Sequence, residues 1–110
     1  MNTKNKGNIA EDKAVKYLKE NNYKILDRNF YFKGGEIDII AFKNHTIHFV
    51  EVKSGSSFEP IFNITPSKIK RIIKGANIYM QKNRLNNAFC IDAIIIKDNN
   101  IEHIKNITLI

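Results

Sequence analysis

The stretch Gly34-Gly35-Glu36-Ile37-Asp38-Ile39-Ile40-Ala41-Phe42-Lys43, then Asn44-His45, then Thr46-Ile47-His48-Phe49-Val50-Glu51-Val52-Lys53, decides how this chain is read. Two runs rich in β-branched and aromatic residues flank a short polar break, the pattern of a β-hairpin. With Asn44 and His45 as the turn, Lys43 faces Thr46, and the same register sets Asp38 opposite Glu51 and Glu36 opposite Lys53. Two carboxylates directly across a ladder repel one another. A sheet that retains them calls for a cation between them. Alternation along each strand puts Glu36 and Asp38 on one face, and likewise Glu51 and Lys53 on one face.

Such a group suits hydrolysis of a phosphodiester. Asp38 and Glu51 would hold Mg²⁺ (or Mn²⁺) through hard oxygen ligands, with the Val52 carbonyl as a further ligand. The ion would acidify a water, and Lys53 would orient the nucleophile or offset charge developing on phosphorus. The bland alternative is a Glu36–Lys53 ion pair with Asp38 and Glu51 solvated at the rim of the sheet. Pattern alone does not separate the two.

At 110 residues the chain is expected to form one domain, residues 1–110. Its 43% hydrophobic and 26% charged content is that of a soluble globular protein rather than a disordered or membrane-spanning one. A formal net charge of +7 points to a polyanionic partner, nucleic acid first among them. Cys90 is the single cysteine, which argues against a disulfide framework and a thiolate zinc site and fits a reducing, cytoplasmic setting. The opening Met1-Asn2-Thr3-Lys4-Asn5-Lys6 is basic but no apolar run follows, so no secretory signal is expected. No stretch has the length and apolarity to span a membrane.

Along the chain, Ala10, Ala14, Tyr17 and Leu18 recur at helical spacing and predict a first helix over Asn8 to Glu20. Glu11 lies beside that stripe. It either leans over the sheet to join the acidic cluster or reaches back to Asn8 in a capping box. A strand follows from Tyr23 to Phe32, its alternation broken at Asp27-Arg28-Asn29, which suggests a bulge. Arg28 there is either a phosphate contact or a solvated surface residue. Ser54 to Thr65 reads as a loop beside the site. Its Phe58 and Phe62 could stack on an unpaired base or pack back onto protein, and the loop could equally dock a partner.

Thr65-Pro66 opens a second helix, Thr as N-cap and Pro at the first helical position. Ile69, Ile72, Ile73, Ala76 and Met80 form its buried stripe. Lys68, Lys70, Arg71, Lys74, Lys82 and Arg84 carry only positive charge, so pairing within the helix cannot account for them. The functional reading is a phosphate-tracking surface centred on Lys68, Arg71 and Lys74; the alternative is a solvated basic face. Phe89 to Lys97 is a strand apolar on both faces, hence central, and Ile101 to Ile107 a last one. Asp92 interrupts the apolar run as a core polar residue satisfied by a neighbour. His45, His48 and His103 show no metal-ligand spacing, and His48 reads as a packed or rim imidazole. The order αβββαββ describes an α/β sandwich, a mixed central sheet of five strands flanked by helices.

Several of these residues also form a known pattern. Gly7, Glu11, Ala14 and Tyr17-Leu18, then Arg28-Asn29, Gly35-Glu36-Ile37-Asp38-Ile39-Ile40, Phe49-Val50-Glu51-Val52-Lys53, and Lys68 with Ala76 and Tyr79 resemble the YraN family of bacterial endonuclease-like proteins. The resemblance implies the fold of restriction endonucleases and archaeal Holliday-junction resolvases, a metal-dependent nuclease acting on DNA, branched DNA included, and, as in related resolvases, a homodimer. It implies Asp38 and Glu51 as metal ligands, Lys53 as the catalytic lysine and Glu11 as the helix acid. Glu36 belongs to the family's own motif. Two departures stand out: Gly55 occupies the place where the family usually has an Arg after the motif Lys, and Ile37 replaces a proline frequent before the Asp in related nucleases. The alternative function is a nucleic-acid-binding module that keeps the nuclease fold without cutting by itself.

Overall fold

The hairpin turn sets the geometry of everything downstream. Asn44 and His45 both have left-handed backbones, φ 52° and 61°, the requirement of a tight turn whose twist matches that of its strands. Lys43 therefore pairs with Thr46, and the register runs on as expected through Ala41–His48 to Ile39–Val50. In the computed structural model, which describes residues 3–55 and 64–107, the order is α1 (Thr3–Glu20), β1 (Lys24–Phe32), β2 (Gly35–Lys43), β3 (Thr46–Gly55), α2 (Pro66–Lys82), β4 (Ala88–Lys97) and β5 (Asn100–Ile104). This is the αβββαββ order read from the sequence.

The strands form one five-stranded sheet in the order β1-β2-β3-β4-β5. All neighbours are antiparallel except β3 and β4, which run parallel because α2 carries the chain back across the sheet. Alternating side chains feed two separate cores. Ala14, Leu18, Ile39, Ala41, Val50 and Ile94 pack on the α1 side, while Ile37, Ile40, Phe49, Ile72, Ala76 and Ile95 pack on the α2 side. The result is a restriction-endonuclease-like α/β/α sandwich. Thr65 caps α2 as expected, its side chain accepting from the Lys68 amide. Gly75 lets Phe32 lie against α2, since a Cβ there would sit 2.4 Å from the ring.

Three boundaries differ from the sequence expectation. Helix α1 starts at Thr3, not Asn8, so Asn8 lies within the helix and the capping-box reading of Glu11 falls. Strand β5 stops at Ile104, before Ile107. Asn106 takes a left-handed backbone, φ 56°, and its amide donates to Asp92 Oδ1 at 3.0 Å, which turns the chain out of the sheet. The bulge of β1 falls between Ile25 and Asp27. Phe58 and Phe62, read as either stacking on a base or packing back onto protein, and most of the loop that carries them, lie outside the described residues. Among the described residues no helix is long and apolar enough to cross a membrane.

Candidate active site

Beyond Ile39 and Val50 the β2–β3 ladder is no longer regular. The Val52 amide donates instead to Asp38 Oδ2, at 2.8 Å. A strand residue directs its N–H and C=O to the same edge, so the Val52 carbonyl faces this gap too. Face alternation also breaks here: Ile37 belongs to the α2-side core and Ile39 to the α1-side core. Asp38 therefore reaches across toward β3 while keeping company with Glu36 and Glu11. The carboxylate oxygens of Glu11, Glu36 and Asp38 come within 4.8 Å of one another.

Asn29, on β1, holds this cluster together. Its backbone is left-handed, φ 52°, and its amide nitrogen donates to both Glu11 oxygens at 3.1 Å and to Glu36 Oε1 at 3.5 Å. Helix α1 supplies Glu11 from the same turn that buries Ala10 and Ala14 against the sheet. That placement leaves the Glu11 side chain only 11% exposed.

Glu51 enters from the other side. Val50 and Val52 pack on the α1-side core, so Glu51 and Lys53 alternate toward α2. Lys53 Nζ lies 3.5 Å from Glu51 Oε1. Glu51 Oε2 is buried and has no hydrogen-bond partner. The bland alternative, a Glu36–Lys53 pair with Asp38 and Glu51 solvated, does not form: Lys53 meets Glu51, and Glu36 meets Asn29.

The electrostatics follow from burial and crowding. Burial, reinforced by the Glu51 charge and opposed by the Val52 amide, pushes the Asp38 carboxyl up to about 8. Burial also raises Glu51, against the lowering pull of Lys53 and Lys68. Carboxylates raised by burial and mutual repulsion are those a divalent cation relieves. The donor set is hard oxygen throughout, the Val52 carbonyl faces the gap, and one buried carboxylate oxygen lacks a partner. These residues fit Mg²⁺ or Mn²⁺.

The cations of α2 border the same region. A Cβ on Gly35 would meet Arg71 Cδ at 2.8 Å, and one on Gly34 would meet Lys74 Nζ at 3.9 Å. Arg71 and Lys74 thus lie over the β1–β2 turn that leads into Glu36, and Lys68 lies near Glu51. Arg28 is arranged differently. Its guanidinium bonds Asp12 at 2.7 Å and approaches Glu11 at 3.6 Å, so it is drawn onto α1.

Two site residues escaped sequence reasoning. Asn29 was visible only as part of the break in β1 and of the family pattern, with no role attached. Tyr31 pairs across the ladder with Glu36, whose proximity raises the pKa of the phenol, yet it is 72% exposed. Nothing in its spacing singles it out.

The profile described as "Uncharacterised protein family UPF0102" matches residues 10–96, a span that holds every residue named in this site. A UPF0102 protein of Helicobacter hepaticus is 53% identical over 109 residues, covering 99% of each chain. One from Wolinella succinogenes is 53% identical over 104 residues, covering 94% of this chain and 96% of its own. One from Sulfurimonas denitrificans is 51% identical over 105 residues, with the same coverage of both chains, 94% and 96%.

Proposed function

This chain belongs to the UPF0102 (YraN) family, and we propose that it hydrolyses DNA phosphodiesters with the help of a divalent cation. The observation that carries the reading is the crowding of the Glu11, Glu36 and Asp38 carboxylates from α1 and β2, with Glu51, whose buried Oε2 has no hydrogen-bond partner, near enough for its charge to raise Asp38. A protein gains nothing in stability from that arrangement unless a cation completes it.

Asp38, Glu51 and the Val52 carbonyl would hold Mg²⁺ or Mn²⁺. When bound, the ion supplies Lewis acidity that polarises a phosphoryl oxygen and makes an attacking water more acidic. Glu11 and Glu36, kept in place by Asn29, orient that water and take its proton. Lys53, beside Glu51, places positive charge where negative charge accumulates on the phosphate in the transition state. Lys68, Arg71 and Lys74 track the flanking phosphates from α2. Arg28 contributes by orienting Glu11 and reaches phosphate only by leaving Asp12.

The test is cleavage of end-labelled linear duplex, single-stranded and four-way-junction DNA with Mg²⁺ or Mn²⁺. Cutting should vanish in Asp38→Ala and Lys53→Ala. Cutting that survives both substitutions refutes the site. Salt-sensitive binding with no cutting of any substrate would instead identify a nucleic-acid-binding module of nuclease fold.

A further inference from the structure

A second set of polar side chains lies in the α1-side layer, toward the turn end of β3. His48 and Cys90 are direct register partners across the parallel β3–β4 pair, and Asp92 follows on the same face of β4. The three side chains meet closely: His48 Nδ1 is 2.7 Å from Asp92 Oδ2 and 3.2 Å from Cys90 Sγ, and Cys90 Sγ is 3.3 Å from the other carboxylate oxygen, Asp92 Oδ1. From these contacts we propose that His48, Cys90 and Asp92 form a zinc-class transition-metal site, separate from the carboxylate cluster and with its own ligand chemistry.

The geometry suits that ion. Tetrahedral zinc with sulfur at ~2.3 Å and nitrogen or oxygen at ~2.0–2.1 Å sets its ligand atoms roughly 3.3–3.5 Å apart. The two contacts made by sulfur, 3.2 and 3.3 Å, are already there within a few tenths. The His48–Asp92 contact, 2.7 Å, runs to Oδ2 and the sulfur contact to Oδ1, so the carboxylate must shift to present one oxygen to the ion as the hydrogen bond to His48 gives way to two metal bonds. A thiolate, an imidazole and a carboxylate together favour zinc over the hard cations of the other site. Occupancy releases the thiol proton to solvent and shifts the His48 proton from Nδ1 to Nε2, and water completes the fourth position.

The surroundings support the same role. Asp92 is fully buried. His103 Nε2 donates to Asp92 Oδ2 at 2.8 Å, Tyr17 Oη meets His103 Nδ1 at 3.2 Å, and the Asn106 amide donates to Asp92 Oδ1 at 3.0 Å. Outer partners of this kind fix the orientation of a ligating carboxylate. Tyr23 packs edge-on against His48, with ring centroids 5.1 Å apart. The His48 side chain retains 11% exposure, a route of entry at the edge of the cluster. Bound metal would tie β3 to β4 and, through His103 and Tyr17, to β5 and α1.

The full chain, stripped with chelator, is titrated with Zn²⁺ and, as a spectroscopic probe, with Co²⁺. We expect one Zn²⁺ per chain by native mass spectrometry in Asp38→Ala, which removes the carboxylate site, and in the parent a thiolate-to-cobalt charge-transfer band in the near ultraviolet and slowed alkylation of Cys90 when Zn²⁺ is present. Cys90→Ser should abolish the band, His103→Gln should weaken Zn²⁺ binding about tenfold, and Asp38→Ala should leave the band unchanged. No thiolate band and no protection of Cys90 in the native sequence would overturn the proposal, whatever the variants do. So would a band that persists in Cys90→Ser, or one lost in Asp38→Ala.

Discussion

Asp38 accepts the Val52 amide at 2.8 Å from the adjoining strand, where a backbone carbonyl would otherwise serve. The bond anchors a carboxylate in the gap between β2 and β3, and it opposes a pKa that burial and Glu51 drive upward. The same contact that opens the sheet also aims the ligand.

Neutralising that carboxylate should therefore stabilise the metal-free fold while ending catalysis. The folded-state value of Asp38, about 8, lies above the ordinary ~4, so the protonated form is favoured by folding. Its contribution is fully present below pH ~4 and lost as pH rises toward 8. Asp38→Asn keeps an acceptor for Val52. It should raise stability at pH 8 by about 2 kcal/mol, flatten the pH profile and remove the stabilisation that Mn²⁺ gives the parent. Urea melts at pH 5 and 8, with and without Mn²⁺, check all three.

Asp92 behaves in the opposite sense. Burial alone would raise it, but hydrogen bonds from His103, His48 and the Asn106 amide hold it well below the usual carboxylate range. A depressed folded-state pKa gives stability that is present above the unfolded value and lost as pH falls toward the folded one. Asp92→Ala leaves two buried imidazoles facing an apolar wall and should cost about 3–5 kcal/mol. Asp92→Asn should cost less, because its one amide oxygen can still accept from both imidazoles in the place of Oδ2, at the loss of the acceptor for the Asn106 amide. Chemical denaturation at pH 7 measures the difference.

How much of this was legible in the sequence depended on range. The hairpin declared itself through Asn44-His45 and its flanking alternation, and α2 through Thr65-Pro66, because turn and cap chemistry acts between neighbours. The convergence of Glu11, Glu36 and Asp38 was foreseen in part: helical spacing left Glu11 open between the cluster and a cap, and the family pattern favoured the cluster. The side of the sheet that Glu51 takes was not foreseen. It follows from Val50 and Val52 packing on the α1-side core, which alternation along β3 alone does not assign to one layer or the other. Asp92 was read as a core polar residue satisfied by a neighbour, and so it is, but its grouping with His48 and Cys90 was not foreseen. That grouping exists only across the parallel β3–β4 pairing, and local spacing rules cannot see a register partner delivered by a crossover helix.

The basic face of α2 predicts a salt effect. Arg71→Ala and Lys74→Ala should each weaken DNA binding about equally for all sequences and reduce the slope of log affinity against log salt by about 0.9. Fluorescence anisotropy over a salt series gives that slope. Lys70→Ala, outside the assigned contact set, should leave it unchanged.

The hairpin turn offers a stabilising change. His45 is exposed and held at φ 61°, a conformation that costs a non-glycine residue roughly 1 kcal/mol. Part of the gain from glycine is returned as unfolded-state entropy. His45→Gly should therefore raise stability by about 0.5 kcal/mol, read as a small upward shift in the urea midpoint with an unchanged slope.

The most direct measurement is anomalous diffraction from crystals of the full chain soaked in Mn²⁺. The account predicts a manganese peak bonded to Asp38 and Glu51, with the Val52 carbonyl in its shell and no such peak in Asp38→Asn. Manganese bound elsewhere, or a gap between β2 and β3 that stays empty at saturating Mn²⁺, would contradict it.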